Sequence, residues 1–176
     1  MLILITGAAG SGKTTISSLL SKTDKCVVVS QDSFYDCKFD LFPYNKNKGN
    51  EFELPDIINW EMLAKVVDAL LKEEVDVIVE GHCVCENKYL MIKADYVFFL
   101  TIPKKLCKDR FMKRNSDNLS EEEMILKDEY FEKYTWLTHV EYTNKVIQSF
   151  FWDERFIIIY GHYEGVKMIS TILNNN

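Results

Sequence analysis

The sequence predicts an α/β fold, a three-layer sandwich in which helices cover both faces of a five-stranded parallel sheet. Three observations predict it. Five short, mostly apolar runs rich in β-branched residues have the composition of strands covered on both sides. Helical patterns lie between them, and strands that alternate with helices are joined as parallel neighbours by right-handed crossovers. The length of 176 residues, 47% of them hydrophobic and 27% charged, suits one domain with a substantial core.

In chain order, the expected strands occupy residues 2–5, 26–29, 75–79 and 96–100 and Phe156–Tyr160. Asn59 can cap a helix whose Met62, Leu63, Val66, Val67, Leu70 and Leu71 fall on one stripe at 3.6-residue spacing. Ser120 with Glu123 makes a capping box for a helix entering residues 121–148. Residues 36–56, with Pro43, Gly49 and Pro55, form a loop longer than compact connections need. Loops of that length in such a fold often carry substrate contacts. No repeat or linker divides the chain.

Composition narrows the function classes. A net charge of −6, from 21 basic and 27 acidic residues, gives no global attraction to nucleic acid or anionic membrane. A phosphate-binding surface must then be local. The five cysteines are odd in number and lack C-x-x-C spacing, which suggests a reduced, cytoplasmic chain. The first apolar stretch is four residues long, too short for a signal peptide, and no segment approaches a membrane span. His82, His139 and His162 have no metal-ligand spacing, so no structural zinc is expected. The state, monomer or homo-oligomer, is open.

The motif that carries chemistry begins at the end of the first strand. Gly7-Ala8-Ala9-Gly10-Ser11-Gly12-Lys13-Thr14 fits G-x-x-x-x-G-K-[ST] in the strand-to-helix context it requires. Together with Thr15, these residues are the expected cradle for a nucleoside triphosphate: glycines let successive amides face one phosphate, and the following helix adds its positive end. Lys13 then reaches the terminal phosphates and the Thr14 hydroxyl can ligate Mg²⁺. The alternative is a glycine-rich turn with an exposed lysine.

Three further groups complete the expected site. Glu80, directly after the third strand, suits the metal shell, with Gly81 allowing the chain to turn; the alternative is a solvated carboxylate opening a loop. Asp32, just past the second strand, emerges on the same sheet edge and can accept a proton from an attacking hydroxyl; the alternative is a turn-capping Asp. Between Lys104 and Arg114 lie six basic residues against Asp109 alone. Arg110 and Arg114, four apart, would share a helix face and meet phosphate oxygens, while the lysines could simply form a solvated face. Tyr130, Phe131, Tyr134, Trp136 and Tyr142 fit helix packing better than a ring-stacking platform.

Ser30-Gln-Asp-Ser-Phe-Tyr35, Val79-Glu-Gly81, Phe99-Leu-Thr-Ile-Pro103 with Cys107, Tyr130-Phe-x-x-x-x-Trp136 and Phe52-Glu-Leu-Pro-Asp56 together resemble the uridine kinase superfamily, most closely the nicotinamide riboside kinases, over about residues 1–165. The resemblance implies a P-loop NTPase-type sheet with a helical lid at about 104–130 and an acceptor-binding loop at about 36–56. It implies transfer of the γ-phosphoryl group of ATP to the 5′-hydroxyl of a nucleoside, nicotinamide riboside or uridine/cytidine. By position, Asp32 matches the catalytic base, Thr14 and Glu80 the Mg²⁺-associated pair, Lys13 the P-loop lysine, and Arg110 and Arg114 the lid arginines. Phe52 matches an aromatic stacked on the nucleoside ring, Phe34 falls with the substrate-binding residues, and Glu53 falls where the family places an aspartate on the ribose hydroxyls. Phe111 stands where riboside kinases put an arginine on the ribose, and the lid lacks their proline-rich segment. Two other readings stay open: a kinase for a non-nucleoside metabolite such as pantothenate, which the missing ribose arginine favours, and, in a different class, a nucleotide-dependent switch without an acceptor.

Overall fold

In the computed structural model, which describes residues 1–22, 26–35 and 53–174, five parallel strands run β1 (Leu2–Gly7), β2 (Cys26–Ser30), β3 (Asp76–Glu80), β4 (Tyr96–Thr101) and β5 (Phe156–Tyr160) in the spatial order β2-β3-β1-β4-β5. The five expected strands are all present. Residues up to 52 of the predicted acceptor loop, including Phe52, lie outside the described residues.

The apolar runs are strands because every side chain can be buried on one face or the other. Leu2, Leu4, Val77, Val79, Val97 and Phe99 join one core, with Leu63 and Val67 of α2 (Trp60–Lys72), Leu90 of α3 (Lys88–Lys93) and Tyr142 and Val146 of α6 (Trp136–Phe150). Ile3, Ile5, Ile78, Phe98 and Leu100 point the other way, onto Ile16 and Leu20 of α1 (Lys13–Leu20) and Ile169 of α7 (His162–Asn174). Alternation along one strand thus feeds two helical layers. In α2 the Asn59 carboxamide accepts from the Met62 amide as expected, but Met62 itself is 53% exposed and the buried stripe narrows to Leu63 and Val67.

The chain leaves β1 toward β2 and β3 on one side and returns to β4 and β5 on the other. The carboxyl end of β1 is therefore a switch point, where α/β sheets open a crevice for ligands. A third, small cluster of Ala8, Cys107 and Phe131 sits above this edge and joins it to α4 (Lys104–Lys113) and to the helical run that begins with α5 (Glu121–Tyr130). The Ser120–Glu123 capping box opens α5, and the run continues into α6 through a π-turn at Phe131–Thr135. That interruption was not visible in the periodicity.

Candidate active site

The loop after β1 owes its shape to glycines at two left-handed positions, Gly10 (φ +78°) and Gly12 (φ +102°), the second capping α1. Gly10 has a second reason to lack a side chain: a Cβ there would lie 2.4 Å from the carbonyl oxygen of Cys107, so α4 rests directly on the loop. Lys13 is buried and its ammonium donates to the carbonyls of Gly7 at 2.9 Å and Ala8 at 3.0 Å. Burial lowers its pKa from the ordinary lysine range; the charges of Glu80 and Asp32 oppose that shift, while Arg114 adds to it. One ammonium thus feels both carboxylates.

Glu80 ends β3 rather than following it, and is paired across the sheet with Ile5 on one side and Ser30 on the other. The Thr14 hydroxyl, exposed at the head of α1, stands 3.4 Å from both of its carboxylate oxygens. Gly81 does not adopt a left-handed turn; its lack of a side chain makes room for Gln31, whose amide oxygen would sit 2.4 Å from a Cβ. Asp32 lies exposed in the 3-10 turn Gln31–Phe34 that caps β2. Phe34, in the same turn, packs half-buried against the larger core, and Thr15 is exposed on α1.

The segment expected as a lid differs from its expected form in two respects. Arg114 is the residue after α4, with extended backbone (φ −74°, ψ 125°), so it does not share a helix face with Arg110. Arg110 reaches back to the phosphate loop and donates to the carbonyls of Gly10 at 3.2 Å and Ser11 at 3.4 Å. Nor is the basic run a free patch: Lys104 pairs with Glu132 at 2.6 Å, and Lys108 with Asp128 at 2.7 Å and Glu132 at 2.8 Å. Acids from the next helical run, distant in sequence, neutralise lysines that looked unopposed. Phe111 packs on Phe131, with ring centroids 5.1 Å apart.

Beside the loop lies a cavity of about 270 Å³, near the lower end of small-ligand pockets. Ala8 and Ala9 form one wall; the others include Glu53, His82, Thr135, His139 and Tyr142, with Glu86, Glu141 and Lys145 also lining it. Glu53 is tied at two points. Its carboxylate accepts from the Thr135 hydroxyl at 2.7 Å, and its carbonyl lies 3.2 Å from His82 Nε2. Gln31 Nε2 stands 3.1 Å from His82 Nδ1, and Gln31 Oε1 accepts from the Cys83 amide at 3.2 Å. When His82 is neutral the Gln31 amide therefore donates to Nδ1, leaving the proton on Nε2 for the Glu53 carbonyl. Tyr35 lies within the field of both acids: burial, then the charges of Asp32 and Glu53, push its phenol far above the ordinary tyrosine range.

Tyr142 is fixed at the back of the cavity. Its hydroxyl accepts from the Cys85 amide at 3.1 Å and lies 3.2 Å from Thr6 Oγ1, which donates to the His82 carbonyl at 3.1 Å. His139 stacks near Phe99 and Trp136, and burial, reinforced by the charges of Lys13 and His82, pushes its imidazole down to about 4. Sequence reasoning assigned no site role to His82, Thr135, His139 or Tyr142. A signal for part of this wall existed: Thr135, Thr138, His139 and Tyr142 recur at i, i+3, i+4 and i+7, a stripe of polar tips along one helix face.

The residues present fit a triphosphate with its metal. The Ser11 hydroxyl is buried in the loop without a hydrogen-bond partner, and Thr14 with Glu80 supplies the hard oxygen donors that Mg²⁺ prefers. Among the described residues no helix is long and apolar enough to cross a membrane.

Comparison with known proteins bears on the same elements. The AAA domain family matches residues 3–131. A uridine kinase of Ureaplasma parvum serovar 3 is 30% identical, the match covering 71% of this chain and 74% of that protein. Among solved structures, the deoxyadenosine kinase of M. mycoides with bound dATP superposes with a TM-score of 0.61 at 18% identity, over 99% of this chain and 100% of the other. A sugar kinase from Janibacter gives 0.62 at 18% identity, over 98% and 94%. These two likenesses carry the fold alone. The sequence matches add the family, and with the phosphate loop, Glu80 and the switch-point topology in view, the chain belongs to the uridine kinase superfamily.

Proposed function

We propose that this chain is an ATP-dependent kinase that transfers the γ-phosphoryl group to the 5′-hydroxyl of a nucleoside, with nicotinamide riboside, uridine or cytidine as the acceptor. The observation that carries the reading is the cavity whose one wall is Ala8 and Ala9 of the phosphate loop and whose other walls hold Glu53 and its partners. A triphosphate on the loop would end beside a chamber sized for a small acceptor. The uridine kinase relative supports a nucleoside.

Phosphoryl transfer needs alignment and charge stabilisation more than covalent chemistry. In this reading the loop amides and Lys13 hold the donor, Lys13 exchanging its two loop carbonyls for phosphate oxygens. Thr14 and Glu80 would hold Mg²⁺, which supplies positive charge at the phosphate oxygens. Asp32 accepts the proton of the acceptor hydroxyl as that oxygen attacks. Arg110, already against the loop, and Arg114, within electrostatic reach of Lys13, stabilise the charge that develops on transfer. Glu53 and Phe34 belong to acceptor binding, and Phe52 to stacking on its ring.

The test is a screen with ATP and Mg²⁺ over nicotinamide riboside, uridine, cytidine and pantothenate, with products identified by mass. A nucleoside 5′-monophosphate supports the reading. Slow release of ADP with no phosphorylated product overturns it in favour of a switch, and phosphorylation of pantothenate alone overturns the nucleoside assignment.

A further inference from the structure

Resting on the acceptor assignment above, we infer that Thr135 is a positioning residue, which holds the Glu53 carboxylate where an acceptor hydroxyl can bond it. Thr135 is 3% exposed, and its hydroxyl lies 2.7 Å from Glu53 Oε1. A carboxylate only accepts, so the single hydroxyl proton is committed to Glu53 and is withheld from the helix carbonyls that a threonine in a helix often bonds. That bond occupies Oε1 and leaves Oε2 for a ligand.

Thr135 closes a π-turn. Each residue advances a helix by about 100°, so the extra residue in Phe131–Thr135 resets the phase between α5 and α6. Phe131 points into the small cluster with Ala8 and Cys107, and Thr135, four residues on, lines the cavity of which Ala8 is also a wall. The Trp136 amide bonds to the carbonyl of Phe131, five residues back, which is the signature of the inserted residue. Glu53 is held in consequence from two directions, by His82 at its carbonyl and by Thr135 at its carboxylate. No cation pairs with it among the described residues, and Phe111, at the position where a resemblance to riboside kinases calls for an arginine, packs on Phe131 instead. A neutral hydroxyl therefore orients this acid.

The experiment compares wild type with Thr135→Val and Thr135→Ser, using whichever of nicotinamide riboside, uridine or cytidine the wild type phosphorylates best. Thr135→Val is expected to raise KM for the acceptor about tenfold or more, the scale of one hydrogen bond to a charged group, while KM for ATP moves less than twofold. Thr135→Ser keeps the hydroxyl and should recover most of the loss. A crystal structure of Thr135→Val should show the Glu53 carboxylate displaced. Unchanged acceptor KM, equal losses for ATP and acceptor, or a Glu53 that stays in place would each overturn the inference. Should the wild type phosphorylate none of these nucleosides, the function proposed above fails, and the crystal structure of the variant still decides whether Thr135 holds Glu53.

Discussion

At the scale of single residues, two carboxylates from separate segments act electrostatically on one buried ammonium. Lys13 carries the electrostatic imprint of Glu80 and Asp32, so removing any of the three should affect chemistry more than folding. Lys13→Ala is expected to lower kcat by a factor of about 10² to 10³, as loss of one transition-state donor typically does. Asp32→Asn should lose a comparable factor while its affinity for ATP, measured by calorimetry, is retained, since Asp32 is an exposed residue that ends no core contact. Full transfer activity in Asp32→Asn would remove the base assignment. Ser11 adds a detail that no pattern predicted: a buried hydroxyl without a partner in the loop that would receive the phosphates.

At the scale of elements, the question is what keeps α4 seated on the phosphate loop. The contact of Gly10 with the Cys107 backbone fixes the distance, and the Lys104 and Lys108 pairs with Glu132 and Asp128 tie α4 to the next helical run. Those pairs are partly exposed and contribute little individually. Lys127 contributes more. Its side chain is fully buried, and its ammonium donates to the carbonyls of Met112 at 3.3 Å and of Arg114, closing the carbonyl end of α4. Burial and the nearby Arg114 lower its pKa. Lys127→Ala, which leaves those carbonyls without their donor and opens a gap, should cost about 2 to 3 kcal/mol in urea unfolding. It should also weaken ATP binding, because Arg110 and Arg114 lose their anchorage. A variant as stable as wild type would show that the clasp is dispensable.

At the scale of the molecule, stability is expected to depend on pH through His139. Its imidazole titrates near 4 in the folded chain against 6.5 unfolded, because it is buried beside Phe99 and Trp136 and feels Lys13 and His82. The unfolded chain therefore binds the extra proton between these values, and stability that is full above pH 6.5 falls as pH drops toward 4, by up to about 3 kcal/mol. In His139→Phe the same titration should be flatter by that amount; parallel curves for the two proteins would exclude His139 as the cause. Much of this architecture was legible in the chain itself. The five strands, the Asn59 cap, the Ser120–Glu123 box and the phosphate loop follow from local rules, because buried strands, helix ends and glycine turns each demand residue types at fixed short spacing. Those same rules, with strands that all run parallel, were enough to expect Glu80 and Asp32 at the sheet edge that holds Lys13. What only the tertiary structure decided is long-range: that Asp128 and Glu132 neutralise Lys104 and Lys108, that Arg114 falls beyond the end of α4, and that Thr135 bonds Glu53, 82 residues away. Such pairings depend on which surfaces the packed helices bring together, and no spacing along the chain encodes a contact made by folding it.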